Sequence, residues 1–234
     1  MKSILALCLL FSTAASAQHS LAAFSVWKPK DGQGEHFEAG YKKHLAWHLG
    51  AQDKWNWYGW FIISGERDGL FVDATFGHNW ADLDHRVDPA GDAANNALNT
   101  EPYADFLMGY KLQRLAFSDP EDSAALGATF LRMLTIDVSN PVTATALLET
   151  FAADFRKKSP GHRLLVYKKV DGGTLRQLVI FLGANNFEEY GRLANCQDDL
   201  FDLDRRYARP VITGITAETL VFRRDLSINW EKLP

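Results

Sequence analysis

Two histidines four residues apart, His44 and His48, are the first residues in this chain whose type and spacing could do chemistry. On a helix that spacing puts both imidazoles on one face, the geometry of a bidentate metal pair. His78, Asp84 and His85 are available as a third donor. Leu45 follows His44, so the glutamate of an H-E-x-x-H arrangement is missing, and the plainer reading is two histidines at the edge of an apolar face. Trp27, Trp47, Trp55, Trp57, Trp60 and Trp80 crowd into the first half of the chain, either as aromatic core or as a stacking wall for a flat ligand. Asp73 and Thr75 share a strand face where the later half of the chain has Val179 and Phe181. A buried polar group there needs a partner, and Arg114 is the expected one. No Ser-His-Asp spacing, phosphate-binding glycine loop or paired-carboxylate signature points to a hydrolase or kinase, and nothing in the sequence names a cofactor or fixes a metal.

The elements that must position these residues begin after a leader. Lys2, the apolar run from Ile4 to Phe11, and Ala15-Ser16-Ala17 before Gln18 read as a secretory signal over residues 1–17. The run is too short to span a bilayer, so export to a periplasmic or extracellular space is expected, with no membrane association after cleavage. Only Cys196 then remains, which rules out an intrachain disulfide and the Cys-rich secreted class. Hydrophobic residues make up 47% of the chain and aromatic ones 12%, ample for a core, while a net charge of −4 argues against a nucleic-acid partner.

The pattern predicts a strand at 22–27, then a helix over 34–49 in which Phe37, Tyr41, Leu45 and Leu49 form an apolar stripe. A strand at 55–63 follows, with Trp57, Phe61 and Ile63 on one face and Tyr58, Trp60 and Ile62 on the other. Its hairpin partner is 70–76. A second helix is predicted to start near Asn79, whose amide suits a first-turn cap. It is interrupted by an apparent insertion at 86–99, resumes over 101–110 on the spacing of Tyr103, Phe106, Leu107 and Tyr110, and gives way to a strand at 111–117. The same order then recurs: strand 129–137, helix 141–158, strands 163–170 and 174–182, helix 187–207 and strand 216–224. Gly77 and Asn79 answer to Gly183 and Asn185 at one constant offset. Two tandem ferredoxin-like βαββαβ units are therefore expected, at residues 22–118 and 128–226, with a linker at 119–127 and a tail at 227–234. Strands apolar on both faces predict an α+β fold in which the two antiparallel sheets pack into an intramolecular barrel with helices outside, an internal pseudo-dimer.

Trp80-Ala81-Asp82-Leu83-Asp84-His85, with Thr100-Glu101-Pro102-Tyr103-Ala104-Asp105-Phe106-Leu107 after the insertion, resembles a segment of the dimeric α+β barrel superfamily, which includes antibiotic-biosynthesis-type monooxygenases and haem-degrading oxygenases. That resemblance implies a small-molecule binder, a cofactor-independent oxygenase or a haem-handling protein, with an aromatic or haem-like ligand. Residues 86–99 depart from the family pattern. The second unit has Phe187 and no histidine where the first has Trp80 and His85, and Asp154 and Lys158 where the first has His44 and His48. The site is therefore expected in the first unit, with His85, Trp80 and Asn79 in catalytic roles and His44, His48, Trp57 and Trp60 against the ligand. The competing expectation is a ligand-free envelope or stress-related scaffold.

Overall fold

The computed structural model describes residues 20–233; the predicted signal segment lies outside them. Eight strands form one closed antiparallel barrel in the order β1-β3-β2-β8-β5-β7-β6-β4. The first unit supplies β1 (Leu21–Pro29), α1 (Gly34–Gly50), β2 (Tyr58–Ser64), β3 (Phe71–His78), α2 (Pro89–Asn99) and β4 (Ala104–Arg114). After α3 (Ser123–Leu126), the second supplies β5 (Phe130–Val138), α4 (Pro141–Lys158), β6 (Leu165–Asp171), β7 (Gln177–Ala184), α5 (Phe187–Leu193), α6 (Cys196–Asp204) and β8 (Ile212–Phe222). This is the expected tandem ferredoxin-like α+β barrel. Closure is by backbone pairing between the units, β2 to β8 from Trp60 opposite Phe222 and β4 to β6 from Lys111 opposite Asp171.

Period-two alternation decides what the barrel holds. Phe24, Tyr58, Trp60, Phe76, Tyr110, Tyr167 and Phe181 meet inside it. Phe24 stacks on Tyr110 at 4.9 Å and Tyr58 on Trp60 at 5.4 Å. The outward faces are covered by helices, with Phe37, Tyr41 and Leu45 of α1 on Trp27 and Phe71, and Leu147, Phe151 and Phe155 of α4 on the second half. Because each half-sheet is buried on both faces, the first unit alone would expose one of them. A fragment ending at Asp119 is expected to self-associate in analytical ultracentrifugation; a monomeric, cooperatively folded fragment would show that the halves do not need each other.

The structure corrects the reading between the hairpin and the linker. Residues 80–85 form only a short 3-10 helix, and the segment read as an insertion contains the second helix of the unit, α2. Pro89 at its first turn and the Asp88 side chain accepting from the Gly91 amide start that helix. The stretch 101–110, read as helix from the spacing of Tyr103, Phe106, Leu107 and Tyr110, is mostly strand. β4 starts at Ala104 and pairs with β1 along its length, which outweighs local periodicity. The predicted helix 187–207 is broken into α5 and α6. The linker is not a plain connector, since Leu126 of α3 is fully buried in the barrel core and its carbonyl accepts from Trp60 Nε1 at 3.2 Å. Nor is the tail free: Trp57 pairs with Ile228, and Tyr58 Oη donates to the Trp230 carbonyl at 2.5 Å.

Candidate metal centre

His44 and His48 occupy one edge of α1, one turn apart, and are 5% and 3% exposed. They face α2, which approaches closely because Gly40 lacks a side chain; a Cβ there would sit 1.8 Å from the Asn99 carbonyl oxygen. Gly40→Ala is expected to push the two helices apart and to cost about 1–3 kcal/mol by overpacking, measured by urea denaturation. An unchanged midpoint would mean that the two helices give way freely.

Across this contact the ring nitrogens converge. His44 Nε2 lies 3.1 Å from His48 Nε2, and Asp92 Oδ1 of α2 lies 3.3 Å from the first and 3.7 Å from the second. The other side of each group is held. His48 Nδ1 is 2.8 Å from Asp53 Oδ2, His44 Nδ1 is 3.0 Å from Asn95 Oδ1, and Asp92 Oδ2 accepts from the Arg86 guanidinium. Asn95 Oδ1 also accepts from Asn99 Nδ2 and Asp53 Oδ2 from Trp57 Nε1, so both oxygens act as acceptors. The histidine protons therefore belong on Nδ1, which leaves both Nε2 lone pairs pointing into the centre. Two lone pairs facing each other across 3.1 Å repel, and a proton or a cation between them removes that repulsion.

Burial holds the His44 pKa below its usual value, with the neighbouring His48 charge acting the same way against the opposing effects of Asn95 and Asp92. For Asp53, burial would raise the carboxyl pKa, but hydrogen bonds from His48, the Trp55 amide and Trp57 outweigh it and leave the group below the usual carboxylate range. Neutral imidazole and ionised carboxylate are the forms that bind metal. Three donors with sides of 3.1, 3.3 and 3.7 Å have their corners about 2.0 Å from a common centre, the bond length that zinc makes to imidazole and carboxylate. Asp53 behind His48 and Asn95 behind His44 supply the supporting hydrogen bonds typical of metal-ligating histidines.

Beneath this cluster a second polar group is buried. Asp73, 4% exposed, accepts from Trp27 Nε1 at 2.9 Å, and Ser25 and Tyr41 also hydrogen-bond to it. Burial pushes its pKa up to about 7 against the pull of these donors. Burial, with the Asp73 charge added, holds the Tyr41 phenol well above its usual range. Arg114, the partner expected from sequence, pairs with Glu121 instead, at 2.8 Å. Thr75 meets His78 Nε2 at 2.5 Å.

Of the residues singled out from sequence, His44, His48 and Trp57 come together, the Trp57 and His48 rings lying 4.7 Å apart. Trp60 is on the other side of the sheet, inside the barrel. Asn79 caps the 3-10 helix in a reciprocal pair with Asp82. Trp80, 52% exposed, and His85 lie on the surface, outside the polar contacts of the cluster. Of the third donors considered, His78 packs on Trp55, and Asp84 and His85 are exposed. Among the described residues the group able to hold an ion is His44, His48 and Asp92. Asp92 escapes a reading of the sequence because it sits in the stretch that looks like an insertion; the Asp-Pro start of that stretch was the available signal. Clefts of about 580 Å³ beside His162 and Arg156 and about 180 Å³ beside Tyr110 and Lys169 contain no residue of this group.

No family model matches the chain, and no curated protein matches it. Among solved structures it is similar to a candidate monooxygenase from Lactobacillus acidophilus NCFM, with a TM-score of 0.60 and 9% identity over 90% of this chain and 96% of that one. It is also similar to a heme-binding protein from Thermus thermophilus, with a TM-score of 0.54 and 8% identity over 89% and 92%. A third is the chlorite dismutase of Candidatus Nitrospira defluvii in complex with imidazole, at 0.50 and 9% over 85% and 90%. At these identities the likeness shows the fold, the dimeric α+β barrel in tandem form.

Proposed function

We propose that this chain is an exported metalloprotein that binds one divalent first-row transition-metal ion through His44 Nε2, His48 Nε2 and Asp92 Oδ1. The observation that carries the reading is the triangle of three buried donors, each held by its own partner on the far side. Imidazole with carboxylate suits borderline ions such as Zn²⁺, Co²⁺ and Fe²⁺ and disfavours Ca²⁺ and Mg²⁺, which prefer all-oxygen sites. Export is the reading of the N-terminal segment. Elemental analysis of protein from its native host is expected to show one such ion per chain, and Co²⁺ added to stripped protein to give a visible d–d spectrum. Native protein without metal, and no Co²⁺ spectrum, would leave the scaffold reading in its place.

Haem handling is the second reading, favoured by the structural likeness to a heme-binding protein and to chlorite dismutase. Against it, both imidazoles of α1 turn Nε2 inward toward each other at 3–5% exposure, the arrangement of an ion chelate rather than of an axial ligand to a flat macrocycle. Added haem giving a Soret band that His44→Ala and His48→Ala abolish would favour this reading over the metal centre.

A further inference from the structure

α2 is an unusual helix for its place, since the one side chain it buries is Asp92 and its largest apolar residue, Leu98, is 73% exposed. Helices of this length ordinarily stay docked through an apolar face. Here the contact with α1 is mainly polar: Asp92 to both histidines, Asn95 to His44 Nδ1, and Asn96 to His44 Nε2, with the Trp47 ring of α1 against Gly91. Asn96 has a further oddity. Its amide nitrogen points into the centre, 3.1 Å from His44 Nε2 and 3.3 Å from Asp92 Oδ1, while its Oδ1 is buried with no hydrogen-bond partner. The two ends of an amide have nearly the same shape, and which end points inward follows from what it meets there. With a cation in the centre, the end that belongs inward is the oxygen.

Resting on the metal reading above, we propose that Asn96 Oδ1 is the fourth protein donor to the ion and that the bound ion is what docks α2 onto α1. Turning the amide places its oxygen where the nitrogen stands, next to His44 Nε2 and Asp92 Oδ1, and changes the donor set from three to four. Two of those donors then come from each helix, so the ion bridges the pair. It does the work that an apolar stripe does elsewhere in the fold, and α2 becomes the part of the first unit whose order depends on metal.

The test uses the full chain, stripped of metal and then titrated with Zn²⁺, followed by calorimetry and by hydrogen exchange read over residues 89–99. Wild type is expected to bind one Zn²⁺ and to slow exchange in that segment at least tenfold. Asn96→Ala is expected to bind 10–100-fold more weakly with little added protection, and Asn96→Asp, which restores an oxygen donor, to recover both. Wild type that binds no Zn²⁺ would overturn the metal centre itself. Wild type that binds, with Asn96→Ala equal to it in affinity and in protection of 89–99, would overturn the role of Asn96 and of the ion in docking α2 while leaving the three-donor centre standing. A loss in Asn96→Ala that Asn96→Asp does not recover would also count against the fourth-ligand role.

Discussion

Stripped protein given Zn²⁺ at about a thousand times its dissociation constant is expected to melt roughly 8–16 °C higher than the same protein without metal. An ion bound only by the native state stabilises it by RT ln(1 + [L]/Kd), about 4 kcal/mol at that excess, and for a chain of this size each kcal/mol moves the midpoint by about 2–4 °C. The unfolded chain cannot compete well, because Asp92 is brought to the histidines only by the packing of α2 on α1. A His44→Ala/His48→Ala double variant should show no such rise. The comparison is made within each protein, with and without Zn²⁺, so that any intrinsic loss from truncating two buried rings does not enter. Differential scanning calorimetry reads it directly. A rise of equal size in the double variant would place the zinc elsewhere, and no rise in wild type would remove the centre.

The parts of this molecule that were legible in its sequence are those written by a repeated local rule. Gly77 and Gly183 lie near the ends of β3 and β7, and Asn79 and Asn185 follow those strands just before the short 3-10 helix and α5, so the echo marks where each hairpin ends. His44 and His48 were legible as a pair because four residues is one helical turn. Their third partner was not. α2 is held by polar contacts to α1 and buries no apolar residue, so it left no hydrophobic stripe to read, and Asp92 could be placed only by the fold. Residues 103–110 failed in the opposite sense, since Phe106, Leu107 and Tyr110 mimic helical spacing while Phe106 and Leu107 are exposed on a strand. Alternation over residues 55–63 sorted Trp57 from Trp60 correctly into two faces, but only barrel closure decided that Trp60 belongs to the interior and Trp57 to the side of the metal centre.

Asp73→Asn is expected to stabilise the protein at pH 8 and to change little at pH 5. Asp73 lies on the helix side of β3, the face on which β7 of the second unit carries the apolar Leu178, Ile180 and Leu182, and is 4% exposed; Val179, its counterpart by sequence offset, faces the barrel interior instead. Taking its charge out of water costs more than the donors around it return, which is why its pKa rises to about 7. The groups facing it are the neutral donors Trp27, Ser25 and Tyr41, with His48 the titratable neighbour that pulls the other way. A carboxyl with its folded pKa above its unfolded one contributes stability that is fully present below about pH 4 and is lost as pH rises through about 7. Three pH units correspond to at most about 4 kcal/mol, so wild type should weaken by a few kcal/mol relative to the variant between pH 5 and pH 8. Asparagine can still accept from Trp27 Nε1 and has no charge to bury, so its own contribution should stay flat over the same range. Urea denaturation of both stripped proteins at half-unit steps reads the difference. A gap that does not widen with pH, or one in which wild type gains on the variant as pH rises, would mean that Asp73 is ionised in the native protein throughout. The polar network beneath α1 would then carry a fixed negative charge rather than a neutral acid.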